Sequence, residues 1–335
     1  MSIASSVNNK TALVTGANSG VGFEAAAQLA EAGWGKVILA WRTEEKGREA
    51  RGMLVSRTGK DPFSVLAVDT SEVASANTAS DRLRADGAVV DLLLLNAGAT
   101  GARAQFNSDG VEVTWASTLV GHHVMAMRVL GDGLLSPTAH IVIAGSEGAR
   151  GTVPGMKVHD FEKVANDRFA GDRVAAVEAL ARIQGPDKYK STNEYVSSKV
   201  VVAWWAAAMS RRLPAGMIVN AVSPGSVPAS NFGRDLSWVT RRLMMPMMKI
   251  VGPLMGMAGS VGTGARRYVV AADLGTEDTG KFYATAHRKK LVGPTSAQTW
   301  PEYLTDEASQ EAGFAAVVNL TKTPFPALVT TASVA

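Results

Sequence analysis

Two residues with chemical potential stand four apart in Tyr195-Val196-Ser197-Ser198-Lys199. On a helix that spacing puts a phenol and an ammonium on one face, about one turn apart. A tyrosine with a pKa near ~10 is a poor acid or base at neutral pH. A neighbouring ammonium favours the phenolate and would lower that value, which makes the pair a candidate proton donor. The same spacing also fits a solvated helix face, so the pair gains meaning only from the rest of the chain. The surrounding stretch to about residue 212 is apolar and reads as a helix. Ser191 is placed to cap it, and Glu194 three residues on would complete a capping box.

The elements that would carry this pair alternate along the chain. A short apolar strand at residues 11–15 feeds Thr15-Gly16-Ala17-Asn18-Ser19-Gly20-Val21-Gly22 and then an alanine-rich helix over residues 21–32. A glycine loop between strand and helix allows a tight turn and lets backbone approach a pyrophosphate at the positive helix end. The second strand, 36–40, ends at Trp41 and Arg42. An acid at that position would hydrogen-bond a ribose 2′-hydroxyl, whereas a guanidinium matches a 2′-phosphate, so NADP(H) is the expected cofactor and NAD(H) the lesser one. A helix (44–56) and a strand (63–68) lead to Asp69, which can cover an adenine, with Thr70 beside it. After a polar helix to about residue 86, residues 89–95 form another continuous apolar strand ending in Asn96-Ala97-Gly98. Strands buried on both faces and alternating with helices predict a Rossmann-type doubly wound parallel sheet.

Composition narrows the function classes. The chain has 335 residues, 46% hydrophobic and 19% charged, with a net charge of +4 and no cysteine. Thiolate catalysis, disulfides and cysteine-held metals are excluded, no metal site is expected, and a reducing cytoplasm fits. No run of like charges suggests a nucleic-acid surface. The first ten residues are short and polar, unlike a signal peptide. The most apolar long stretch, 243–258, is broken by Pro246, Lys249 and Pro253, so no transmembrane segment is expected. With no linker visible, residues 1–335 read as one domain.

Taken together, these motifs resemble the short-chain dehydrogenase/reductase family. Thr15-Gly16-x-x-x-Gly20-x-Gly22 is similar to its cofactor loop, Asn96-Ala97-Gly98 to its N-A-G turn and Tyr195-x-x-x-Lys199 to its catalytic pair. Ser223-Pro224-Gly225-Ser226-Val227 looks like its P-G loop beside the nicotinamide. The four motifs span roughly residues 10–230. Gly110-Val111-Glu112-Val113-Thr114 and Leu119-Val120-Gly121-His122-His123 look most like the retinol-dehydrogenase and light-dependent protochlorophyllide-reductase branch.

The resemblance implies roles. Gly16, Asn18, Ser19, Gly20, Val21 and Gly22 would cradle the dinucleotide, Arg42, Asp69 and Thr70 would meet its adenosine half, and Asn96, Ala97 and Gly98 would lie beneath it. Pro224, Gly225 and Val227 would flank the nicotinamide. Ser146, after the apolar run 140–145, would hold the substrate oxygen while Tyr195 handles the proton. Lys199 would tune Tyr195 and hold the nicotinamide ribose. Thr118 stands where the family often has an asparagine that helps a water connect the lysine to solvent. It still offers a carbonyl and a hydroxyl to that relay. His122 and His123 read as packing or partly exposed residues. A homodimer through the Tyr195 helix and the helix around residues 111–130 is implied, unless the insertion blocks it.

Two segments are unusual. Residues 147–190 form a long insertion before Tyr195, a lid, a substrate wall or an oligomer contact, with a helix at about 172–183. Residues 228–262 hold Met244, Met245, Met247, Met248, Met255 and Met257, which suits either a wall against a bulky apolar substrate or plain packing. A helix at 262–273 precedes an expected last strand at 280–284, a helix follows at 306–320, and 321–335 reads as a poorly ordered tail. The expected function is NADP(H)-dependent interconversion of a carbonyl and an alcohol on a bulky apolar small molecule. Light-driven reduction of a C=C bond in a porphyrin-like pigment and a non-catalytic dinucleotide-binding protein are the rivals.

Overall fold

A computed structural model of the chain describes residues 7–227, 259–288 and 290–328. One eight-stranded sheet runs in the order β3-β2-β1-β4-β5-β6-β7-β8. Its strands are β1 (Thr11–Thr15), β2 (Lys36–Trp41), β3 (Phe63–Ala67), β4 (Val90–Leu95), β5 (Leu135–Ala144), β6 (Ile218–Val222), β7 (Phe282–Thr285) and β8 (Thr295–Ala297). Seven are parallel, and β8 pairs antiparallel with β7. The expected last strand therefore has one more beyond it. The doubly wound parallel architecture is as the alternating apolar runs predict.

Those runs are apolar because both sides of the sheet are covered. Leu13, Leu93, Leu95, Ile141 and Ile143 face one core. Their alternate neighbours Ala12, Val14, Leu92, Leu94 and Val142 face a second one on the opposite side. The second side carries α1 (Gly20–Glu31) and α2 (Glu44–Thr58). The first carries α3 (Val73–Ala85), then a short helix α4 (Val113–Trp115) that passes through a π turn, Ala116–Val120, into α5 (Gly121–Gly131).

The insertion is not a loop. It holds a 3₁₀ turn (Glu147–Arg150), α6 (Phe161–Phe169) and α7 (Arg173–Ala181), so it contains one helix more than expected. Both helices bury apolar residues against α8 (Ser191–Ser210) and its surroundings, including Phe161 edge-on to Trp204 at 4.8 Å between ring centroids. After α9 (Val261–Ala271) the chain ends in α10 (Glu307–Thr321), which packs on α8, α7 and α5. Trp204 and Trp205 are both buried, and a Cβ on Gly313 of α10 would stand 3.0 Å from Trp204. α10 lies against α8 and, less extensively, against α5.

The tail expectation is also corrected as far as residue 328. Thr321 closes α10 and is buried, Phe325 and Leu328 pack against the core, and the carbonyl of Thr323 accepts a hydrogen bond from His123 Nε2 at 2.8 Å. Apolar partners on α5 and α10 give this segment something to bury. Residues 329–335, and the methionine-rich stretch at 228–258, lie outside the described residues. Among the described residues no helix is long and apolar enough to cross a membrane.

Candidate active site

The strand order reverses beside β1, where β2 lies on one side and β4 on the other, and a crevice opens there past the carboxyl ends of the strands. Gly16 and Gly20 take left-handed conformations with φ of 68° and 60°. A Cβ on Gly22 would stand 2.5 Å from Gly16 O and 2.4 Å from Asn96 Nδ2, so the loop can close only around a bare glycine. Asn96 Nδ2 donates to Thr15 O at 2.9 Å, and the N–H groups of Asn96 and Ala97 donate to Thr15 Oγ1 at 2.8 and 3.0 Å. These bonds weld the glycine loop to the Asn96-Ala97-Gly98 turn.

A cleft of about 450 Å³ runs across this junction. Gly16, Asn18, Ser19, Gly20 and Val21 line it with Asn96, Ala97 and Gly98, and Arg42, Tyr195, Lys199 and Pro224 join them. Asp69 and Thr70 line an adjoining hollow with Trp41 and Arg42. The exposed Arg42 guanidinium lies 5.8 Å from the centroid of the Trp41 ring, and no carboxylate ends β2. Gly22, Thr118, Ser146, Gly225 and Val227 are not among the residues that line the cleft, although Ser146 hydrogen-bonds Tyr195, which does. The glycine cradle, the N-terminus of α1 and a cation beside the ribose position fit a dinucleotide.

Ser146 caps the turn that follows β5. Its Oγ accepts the Gly148 N–H at 3.1 Å, which leaves its own proton for Tyr195. That hydrogen bond favours the Tyr195 phenolate, but burial outweighs it and holds the phenol above its ordinary value. Lys199 is 5.7 Å from the Tyr195 ring centroid and donates from Nζ to Ala144 O at 2.6 Å. Burial pushes Lys199 down to about 7. Desolvation is thus the largest influence on both groups, and it acts on Tyr195 against the lowering expected from Lys199.

Glu194 does not cap the helix. Lys190 occupies the N-cap of α8 without a side-chain bond, and Glu194 turns inward, where its two oxygens accept from Trp115 Nε1 at 3.1 Å and His159 Nε2 at 3.0 Å. Burial among those donors wins over the exposed cap.

Thr118 lies in the π turn, with Oγ1 3.7 Å from where a Gly98 Cβ would sit. Its carbonyl already accepts from His122 Nδ1 at 3.0 Å. A carbonyl can only accept, so the proton sits on Nδ1, and Nε2 must accept from Thr15 Oγ1 at 3.0 Å. Burial pushes His122 down to about 3, which fixes that neutral tautomer. Both His122 and His123 are fully buried rather than partly exposed.

Residues 10–171 match the short chain dehydrogenase family. The chain is 26% identical over 330 residues to the short-chain dehydrogenase/reductase phmF of Phaeosphaeria nodorum, covering 92% of this chain and 90% of that protein. These likenesses support a relationship to the short-chain dehydrogenase/reductase family. A chloroplastic protochlorophyllide reductase of Chlamydomonas reinhardtii is 24% identical over 283 residues, covering 82% of this chain and 69% of that protein. In fold, an uncharacterized protein of Mycobacterium Paratuberculosis superposes with a TM-score of 0.68 at 22% identity, covering 97% and 98% of the two chains. The cleft also holds a phenol that the motifs do not mark. Tyr268 of α9 lines the same cleft as Tyr195 and Lys199. Its distance along the sequence and the absence of a spacing rule explain why sequence reasoning missed it.

Proposed function

We propose that this protein is an NADP(H)-dependent reductase of a bulky apolar carbonyl compound, working reversibly on the alcohol. The observation that carries the reading is that Tyr195, hydrogen-bonded to Ser146, lines with Lys199 the same cleft as the glycine cradle. When bound, NADPH supplies the hydride. Tyr195, holding its proton through burial, donates it to the carbonyl oxygen, and Ser146 hydrogen-bonds the same oxygen and keeps it in line. Lys199, close to half-charged at neutral pH, stabilises the phenolate left behind. Arg42 at the end of β2, with no carboxylate there, supports the preference for a 2′-phosphate. The apolar substrate class rests on the methionines at 228–258.

The test follows loss of nicotinamide absorbance with NADPH and NADH against a panel of apolar ketones and aldehydes. Tyr195→Phe should bind NADPH and lose turnover by about 10²-fold or more, and Arg42→Ala should erase the preference for NADPH. Turnover that survives in Tyr195→Phe would sink the mechanism. Turnover that depends on a pigment and on light would transfer the site to C=C reduction, and NADPH binding without turnover on any carbonyl would favour a non-catalytic protein.

A further inference from the structure

Tyr268 has features of a ligand-binding group. It lines the cleft alongside Ala144, Gly145, Pro224, Tyr195 and Lys199, although its side chain as a whole is only 1% exposed. Its hydroxyl is not among the buried polar atoms that lack a partner, and the residue lines the cleft, where a ligand can reach it. It belongs to the core on the α1 side of the sheet, whereas α8, which carries Tyr195, buries its apolar residues in the other core. The cleft therefore runs between two phenols, one from each helical layer.

Tyr268 is also rigidly held. The preceding residue, Arg267, donates to Ser223 O at 3.0 Å, Glu147 Oε1 at 3.1 Å, Thr285 Oγ1 at 2.9 Å and Gly293 O at 2.9 Å. One guanidinium thus fixes α9 against the loop carrying Pro224 and against the residue after Ser146. Burial, and then the charge that Tyr195 would carry, keep the Tyr268 phenol above its ordinary value, so it stays a neutral donor.

We infer that Tyr268 is a further cofactor-binding residue, whose hydroxyl hydrogen-bonds the carboxamide of the nicotinamide on the side of the cleft opposite Tyr195. The inference rests on the dinucleotide reading above. A neutral phenol can both give to a carboxamide oxygen and accept from its nitrogen. The anionic part of the dinucleotide belongs instead to the glycine loop and the α1 N-terminus. A hydroxyl so placed orients the ring in its plane and leaves the other face toward Ser146 and Tyr195.

The test compares dissociation constants of NADPH and of 2′-phospho-ADP-ribose, which lacks the nicotinamide, for the unmutated protein and for Tyr268→Phe. The phenylalanine keeps the packing and removes only the hydroxyl. Loss of one neutral hydrogen bond should weaken NADPH roughly 3- to 10-fold and leave 2′-phospho-ADP-ribose unchanged. Equal NADPH affinity in Tyr268→Phe overturns the inference, and so does equal weakening of both ligands, which would mark a structural role. If the unmutated protein binds neither ligand, the dinucleotide reading itself fails and this one goes with it.

Discussion

Gly121 sits where α5 comes closest to the loop after β3, and a methyl group there has nowhere to go. A Cβ would stand 2.4 Å from the carbonyl oxygen of Thr70, 2.6 Å from its Cα and 2.7 Å from its carbonyl carbon, all backbone atoms. Ordinary carbon–oxygen contact needs about 3.2–3.5 Å, so one backbone must move by nearly 1 Å. The Gly121 N–H also donates to Thr70 O at 3.0 Å, and Thr70 Oγ1 reaches Ser117 O at 3.3 Å, so the shift breaks contacts on both sides. Overpacking a fixed contact costs about 1–3 kcal/mol, and the upper end applies because neither partner is a flexible side chain. With an unfolding entropy of about 2.1 cal/mol/K per residue, 1 kcal/mol corresponds to roughly 1.4 °C in Tm for a chain of this length. Gly121→Ala should therefore lower Tm by about 4 °C. Because Thr70 lines the hollow beside the cleft, the variant should also weaken dinucleotide binding. Gly52 is the control. It lies inside α2, exposed, with nothing within 4 Å of an added Cβ, so Gly52→Ala should gain about 0.5–1 kcal/mol from reduced backbone entropy. Differential scanning fluorimetry on both variants decides the matter. A Gly121→Ala protein melting within 1 °C of the parent, or a destabilised Gly52→Ala protein, refutes the argument from close approach.

Two further predictions concern buried titratable groups. Lys199 has its folded pKa depressed to about 7, so between that value and the unfolded value the unfolded chain carries a proton that the folded one lacks. Stability from this site rises with pH across that window, and its penalty is fully present below pH 7. Lys199→Met should therefore raise Tm, most at pH 6 and least near pH 10, while abolishing turnover; a gain that does not change with pH would refute the burial account. His122 and His123 are held down to about 3 and about 4 by burial. Nitrogen-15 NMR should show His122 as the Nδ1–H form and His123 as the Nε2–H form, the latter because Trp205 Nε1 donates to His123 Nδ1 at 3.0 Å. Neither should titrate between pH 9 and 5. Stability should decline as pH falls below about 6.5, since the unfolded histidines bind protons that the folded ones refuse. Protonation of either ring above pH 6 would contradict the tautomer argument.

The sheet was legible because its strands are apolar on both faces, and such runs have few other readings. Elements with weaker patterns were not. β8 is three residues with no buried side chain, and α6 reads Phe-Glu-Lys-Val-Ala-Asn-Asp-Arg-Phe, of which only Phe161, Val164 and Ala165 are buried. The motif residues of the cleft could be found because their chemistry depends on short spacings. Orientation and electrostatics could not. Glu194 has the type and position of a capping residue, yet its partners Trp115 and His159 come from distant segments. Lys199 was expected to control Tyr195 because proximity along a helix is visible in a sequence, whereas the burial of both groups is not.

The same limit applies to how the two sides of the cleft are kept at a fixed distance. Glu147 follows Ser146, and Arg267 precedes Tyr268. The two are buried and ion-paired at 3.1 Å, and Glu147 Oε1 also accepts from the Thr285 N–H and Oγ1 at 2.9 and 2.8 Å. Buried ion pairs of this kind contribute little net stability relative to a well-packed apolar core, and because Glu147 also pairs with the buried Arg150, removing Glu147 strands two guanidinium groups, at about 3–5 kcal/mol or more. The effect of the Glu147–Arg267 pair is geometric. It joins the turn that aims Ser146 to the helix that carries Tyr268, through β7 between them. The hydroxyl meant for the substrate oxygen and the phenol assigned to the nicotinamide are thereby placed by one network, so displacing either partner of the pair moves both sides of the cleft at once.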